Sequence, residues 1–265
     1  MKAISIGYHD VAEHPEQSEN PVRRAPAYYT LDRRTFQRHL EEIQARNPLP
    51  EVTTISGKQQ WGARIPVFLT FDDGADCAYT CIAGELEARG WRGHFFVTSS
   101  WIGKPGFMNA SQIRDLHERG HVIGSHTHTH PERMSNLSSS ELSSEWTVSR
   151  NILQEILGEH VRTASVADGY YSRKVGQSAA QAGIEVLFNS EPVKSVSEEQ
   201  GCMILGRYAV KSVTSPKSAG DLAAGAILPC LGQMALWEAK KAAKAIGGES
   251  YLSVRRLFLS ARTRS

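Results

Sequence analysis

The chain has 265 residues, 40% of them hydrophobic and 22% charged, and a formal net charge of +2. That is enough chain for a full buried core, about the size of one α/β barrel domain. Its basic residues are scattered rather than gathered into a stripe, so nothing points to a nucleic-acid surface, and no run reaches the roughly 20 apolar residues of a membrane span.

The N-terminus reads MKAISIGYHDV. Its apolar run is shorter than the roughly 7–15 residues of a secretory leader, so a cytoplasmic location is expected. The first strand is predicted over Ala3–Tyr8, followed by a polar, proline-dotted loop over residues 12–30. Leu31–Arg46 reads as an amphipathic helix. Val67–Phe71 is an apolar run that stops at Asp72-Asp73-Gly74, as a buried strand stops at a turn. Thr80–Arg89 reads as a helix ended by Gly90, His94–Thr98 as a strand, and Ser111–Arg119 as a helix ended by Gly120. Strand His121–Gly124 leads into SHTHTH, Ser125–His130. Ser138 and Glu141 have the spacing of a capping box and open a helix to about Leu157. Strand Ala164–Val166, helix Ser172–Ala182, strand Ile184–Phe188 and strand Cys202–Tyr208 follow, and the last stretch is mostly helical. Repeated strand–helix units favour a parallel sheet, open or closed, in one domain. The four cysteines (Cys77, Cys81, Cys202 and Cys230) match no zinc-finger spacing and read as free buried thiols.

Active sites in such architectures gather where strands end at their carboxyl side. Four predicted strands deliver ionisable residues there: His9 and Asp10, Asp72 and Asp73, the histidines at 126, 128 and 130, and Asp168. Adjacent carboxylates repel unless a positive charge lies beside them. A metal ion supplies that charge, with one Asp as ligand and the other as a base toward metal-bound water. Asp-Asp-Gly is also ordinary turn chemistry. His126 and His130 share a face if the segment is helical, whereas His128 joins them if it is extended. Either set, with a carboxylate, suits catalytic zinc or non-haem iron.

TFDDG, Thr70–Gly74, followed by HTHTH, His126–His130, resembles the polysaccharide deacetylase family, carbohydrate esterase family four with its NodB-type homology domain. The intervening GHFFVTSSWIG and MNASQIRDLHERGHVIGSH are similar to that family's strand and helix, and the resemblance covers roughly residues 64–190. It implies a distorted (β/α)7-type barrel as a single catalytic domain over 1–265. It also implies Asp72 as catalytic base, and Asp73, His126 and His130 as ligands of a divalent metal, most often zinc. His128 falls on a variable position. The reaction implied is hydrolysis of an acetamide on a sugar, with an oxyanion held by the metal and a backbone N–H.

The chain departs from the family pattern in three places. ASVADGYYS, Ala164–Ser172, stands where an Arg-Pro-Pro-Tyr-like segment is usual, so the arginine that orients the base is missing there; Arg162 is the nearest in sequence. LFNSEP does not resemble the fourth motif. No histidine follows His160, so the late Leu-x-His that supplies the general acid is absent. In a closed barrel the first and last strands are neighbours, and His9 at the end of the first strand is the expected substitute. Members with a Tyr-His N-terminus and no late histidine are similar to this chain and suggest a role in exported polysaccharide synthesis. The expected substrate is a carbohydrate or a lipid-linked sugar. Hydrolysis of a non-peptide C–N bond in a small molecule, and glycan binding by a degenerate site, are the competing readings.

Overall fold

In the apolar run at 67–71 every side chain is buried, as it must be in a strand covered on both faces. The computed structural model describes residues 1–13, 27–46, 53–61 and 64–242. Its strands are β1 (Ile4–Tyr8), β2 (Asp10–Ala12), β3 (Thr30–Asp32), β4 (Val67–Phe71), β5 (His94–Val97), β6 (Val122–Ser125), β7 (Thr163–Ser165), β8 (Val186–Phe188), β9 (Ser197–Glu199), β10 (Cys202–Leu205) and β11 (Tyr208–Ala209). The helices are α1 (Arg33–Arg46), α2 (Ala83–Glu87), α3 (Ala110–Glu118), α4 (Ser139–Leu157), α5 (Arg173–Gln181), α6 (Pro216–Ala223) and α7 (Ile227–Ala242).

The large sheet runs β11-β1-β4-β5-β6-β7-β8-β10-β9, parallel throughout except for the β9–β10 pair. It is curled, and the helices between strands cover its outside. β10 pairs with β8 at one margin while β11 pairs with β1 at the other, and only Gly206 and Arg207 separate them. One run of chain therefore spans the curl, from β10, which only the short edge strand β9 flanks, to β11 beside β1, in keeping with the barrel expectation. Gly206 is where that run crosses the backbone after β8. A Cβ there would lie 2.2 Å from the Glu191 carbonyl oxygen, so only glycine fits.

The helix starts follow local chemistry. Ser138 caps α4 in a capping box with Glu141, as the spacing predicted, and Asn109 with Gln112 does the same for α3. Three local features differ from the sequence reading. The predicted loop is flanked by β2 and β3, which share its end residues Ala12 and Thr30 and pair with each other, so the following helix starts at Arg33 and not Leu31; loop residues 14–26 lie outside the described residues. The helix predicted from Thr80 begins as a π-helical turn, Ala78–Ile82. The strand predicted over Cys202–Tyr208 is broken at Gly206, because it changes partners there. Among the described residues no single helix is long and apolar enough to cross a membrane; α6 and α7, bent by 98°, pass that test of length and composition only as a pair.

Alternation along the strands sorts the core. Val67, Leu69 and Phe71 face the helices, as do Ile4, Ile6 and Tyr8. Phe68, Phe96, Val186, Phe188, Met203 and Leu205 fill the inside of the curl with Ile55. His94 belongs to this inner layer, its ring 5.3 Å from Phe188 and 5.5 Å from Phe68, with Nε2 accepting the Ile55 N–H. Burial pulls the His94 pKa from 6.5 down to about 4. The unfolded chain therefore binds more protons than the folded one between about 6.5 and 4. The stability associated with neutral His94 is whole above that window and is lost as pH falls through it. Urea denaturation at about pH 7.5 and about pH 4.5 should show a loss in the wild type exceeding that in His94→Gln by about 2–3 kcal/mol.

Candidate metal centre and active site

The inward parity of the strands builds the site. Counting in twos from inward residues leads from Ser5 and Gly7 to His9, from Phe68 and Thr70 to Asp72, from Gly124 to His126, from Thr163 to Ser165, and from Met203 and Leu205 to Arg207. Each lies at or just past the carboxyl end of its strand, above the apolar layer. Asp73 is out of parity. A left-handed backbone at Asp73 (φ 74°) turns the chain so that two consecutive carboxylates face the same space. Thr127 and His130 are also left-handed, with φ 67° and 56°. Backbone of this kind is costly for residues with a Cβ and concentrates at functional sites. Glu145 of α4 stabilises the second turn by accepting the N–H groups of His128 and Thr129.

Asp73, His126 and His130 converge, with potential ligand atoms all within 4.8 Å of one another. Asp73 Oδ1 lies 3.4 Å from His126 Nε2 and 3.5 Å from His130 Nε2. Ligand atoms about 2.0–2.1 Å from a tetrahedral zinc ion stand roughly 3.3–3.4 Å apart, so these separations suit a shared ion. Oδ1 of Asp73 is buried and has no well-formed hydrogen bond, which leaves it in need of a positive partner. The donor set of one oxygen and two nitrogens therefore fits a divalent cation. The His126 side chain is 2% exposed, whereas Asp73 and His130 keep 12% and 11%, so the centre opens to solvent on their side. Burial pushes the Asp73 carboxyl up, but the two histidines beside it hold it well below the usual carboxylate range.

Asp72 stands apart from this set. Its Oδ1 accepts from Arg207 Nη1 at 2.7 Å and from the Ser165 hydroxyl at 3.0 Å. Arg207 is itself buried; its Nε donates to the Asn189 carbonyl at 3.0 Å. Burial pushes Asp72 up, and Arg207, His126 and His9 outweigh it, holding the carboxyl at about 2. His9 completes the group. Its ring packs against Tyr29 with centroids 4.4 Å apart and planes tilted by 33°, and its buried Nδ1 has no hydrogen-bond partner among the described residues. Burial lowers its pKa, and the charges of Asp73 and Asp72 oppose that shift.

The structure thus brings together Asp72, Asp73, His126, His130 and His9. His128 lies outside the ligand cluster, its Nδ1 2.9 Å from Ser99 Oγ. Asp168 is exposed in a turn with φ 52°, within electrostatic reach of His130. Arg162 pairs with Glu185 instead of Asp72. Trp101 stacks on His130 at 5.1 Å and packs on Phe107. No disulfide joins the four cysteines, and the Cys77 thiol donates to Asp10. Sequence reasoning missed Arg207 and Ser165. The signal for Arg207 was its parity, a lone arginine on the inward face of a strand whose other inward residues are Met203 and Leu205.

The chain is 25% identical over 154 residues to YxkH of Bacillus subtilis (strain 168), whose name places it provisionally among polysaccharide deacetylases. It is 34% identical over 98 residues to a chitin deacetylase of Colletotrichum lindemuthianum. These alignments cover 58% and 37% of this chain, and only 54% and 38% of the two relatives, so the chain spans about half their length or less. Its fold matches that of a Streptococcus pyogenes deacetylase, PplD, solved in complex with acetate. The TM-score is 0.65 at 18% identity, over 82% of this chain and 96% of that one. Residues 62–187, a span that holds both the Asp-Asp turn and the paired histidines, match the polysaccharide deacetylase family model.

Proposed function

We propose that this chain is a metal-dependent deacetylase that removes the acetyl group from an N-acetylated sugar of a glycan or glycolipid precursor, working as one catalytic unit. The observation that carries the reading is a pair of adjacent carboxylates with divided environments. Asp73 joins two histidines in a donor set, while Asp72 is gripped separately and kept ionised beside it. A divalent cation, most readily zinc, supplies Lewis acidity toward the acetyl carbonyl and makes water a stronger acid.

The chain's own groups do the rest. Asp73, His126 and His130 hold the cation. Ionised Asp72 takes a proton from the attacking water as its oxygen bonds to the acetyl carbon. The C–N bond then breaks, and His9 hands its proton to the departing amine, giving acetate and a free amino sugar. Arg207 takes the place of the arginine missing after β7, arriving from the run of chain that spans the curl. His9 and Arg207 both lie outside residues 62–187, so the catalytic unit extends beyond the matched segment on both sides.

Acetate release from N-acetylglucosamine oligomers and from lipid-linked N-acetylated sugars tests the reading. The metal-loaded protein should turn over at least one of them and lose that activity on chelation. His9→Ala should retain metal and slow the reaction by about 10²–10⁴-fold, the usual contribution of a general acid. Hydrolysis of small cyclic or linear amides with no action on acetylated sugars would overturn it, as would full turnover by His9→Ala for the assigned acid.

A further inference from the structure

Ser165 is fully buried at the end of β7, and its hydroxyl stands between the metal-binding and proton-transfer halves of the site. Its Oγ is 2.5 Å from His126 Nδ1 and 3.0 Å from Asp72 Oδ1. A hydroxyl has one proton to donate. Oδ1 of Asp72 already pairs with the buried Arg207 guanidinium at 2.7 Å, so it accepts, and the Ser165 proton points to it. Oγ must then accept, and its remaining neighbour is His126 Nδ1. The Ser165 carbonyl, 3.2 Å from the same Nδ1, is likewise able only to accept. Two independent acceptors thus require Nδ1 to carry the ring proton, which leaves the Nε2 lone pair directed at Asp73 and His130.

We infer that Ser165 is a positioning residue through which the acceptor oxygen Oδ1 of Asp72 sets the tautomer of the proposed ligand His126. It deepens the functional reading above and rests on the metal centre assigned there. The same hydroxyl has a second consequence. Ser165 and Arg207 both bind Oδ1 of Asp72, and no described residue hydrogen-bonds Oδ2. Oδ2 is therefore the oxygen free to take a proton, and one serine aligns both the ligand and the base.

Two measurements that need no turnover test this. Zinc affinity is read by competition with a chromophoric chelator, and ring tautomers by 15N-histidine NMR of the metal-free protein. In the wild type His126 should show the Nδ1–H tautomer. Ser165→Ala removes one small polar atom, and the 3.2 Å carbonyl contact remains as a weaker acceptor. Its zinc affinity should fall about 10-fold or more, and the His126 signals should leave the single-tautomer position. Zinc affinity and tautomer both unchanged in Ser165→Ala would overturn the inference while leaving the metal centre standing. Unchanged zinc affinity in His126→Ala would overturn the metal centre itself, and this inference with it. A protein that passes both tests yet releases no acetate would overturn the proposed function alone.

Discussion

Asp72→Asn is expected to bind zinc within a few-fold of the wild type and to release acetate about 10²–10⁴-fold more slowly, the range lost when a general base is removed. The change is nearly isosteric. The amide oxygen can still accept from Arg207 and Ser165 at the position of Oδ1, so the polar cluster keeps its shape. What disappears is the acceptor at the Oδ2 position, where an NH2 group offers protons instead. The proposed metal donors, Asp73, His126 and His130, are unaltered. Parallel measurement of zinc content and kcat on one acetylated substrate separates the two roles. A variant with wild-type turnover would place the base elsewhere, and one with no zinc would make Asp72 a ligand.

Arg207→Met should lose about 3–5 kcal/mol of stability, because it leaves a buried carboxylate without its counter-charge. Both side chains are only 4% exposed in this pair, so solvent screens it little. The expected result is specific in its pairing: Asp72→Asn added to Arg207→Met should recover much of the loss, since the uncompensated charge is then gone. Arg207→Lys should fall between, as it keeps the charge and loses the guanidinium geometry that serves Asp72 and the Asn189 carbonyl together. Denaturant titrations of the four variants check the cycle, and an additive double variant would show that the pair is not coupled. The Asp72 pKa is depressed from 3.8 to about 2 in the folded chain, so its contribution is whole above 3.8 and is lost as pH falls toward 2. Turnover in Arg207→Met should fall as well, since Asp72 loses one of the two donors that hold Oδ1.

Much of the fold was legible because burial writes itself into local pattern. The run VFLTF could only be a strand covered on both faces, and the box at Ser138 and Glu141 could only start a helix. Helix ends at Gly158, Gly90 and Gly120 have the left-handed backbone that glycine permits. The pairing of β2 with β3 was not legible, since each strand is three residues long and its partner lies beyond a polar loop. The broken strand at Gly206 was hidden for a related reason: local propensity reports extended chain and says nothing of which neighbour it pairs with.

The candidate site divides along the same line. The sequence by itself determined that an Asp-Asp turn and two histidines four residues apart occur after strands, and hence that a donor set and a spare carboxylate are available. Four placements were decided by the tertiary structure. The left-handed turn at Asp73 aims both carboxylates into one space, and the second turn brings His130 and not His128 to the first ligand pair. Parallel pairing of β1 with β4, with Tyr8 opposite Phe71, sets His9 within electrostatic reach of Asp72 and Asp73. The crossing at Gly206 inserts Arg207 against Asp72, 135 residues away in sequence. Ligand spacing is a local property, carried by a few residues and their backbone angles. A counter-charge for a buried carboxylate has no such constraint, because any strand that reaches the rim with the right parity can supply it.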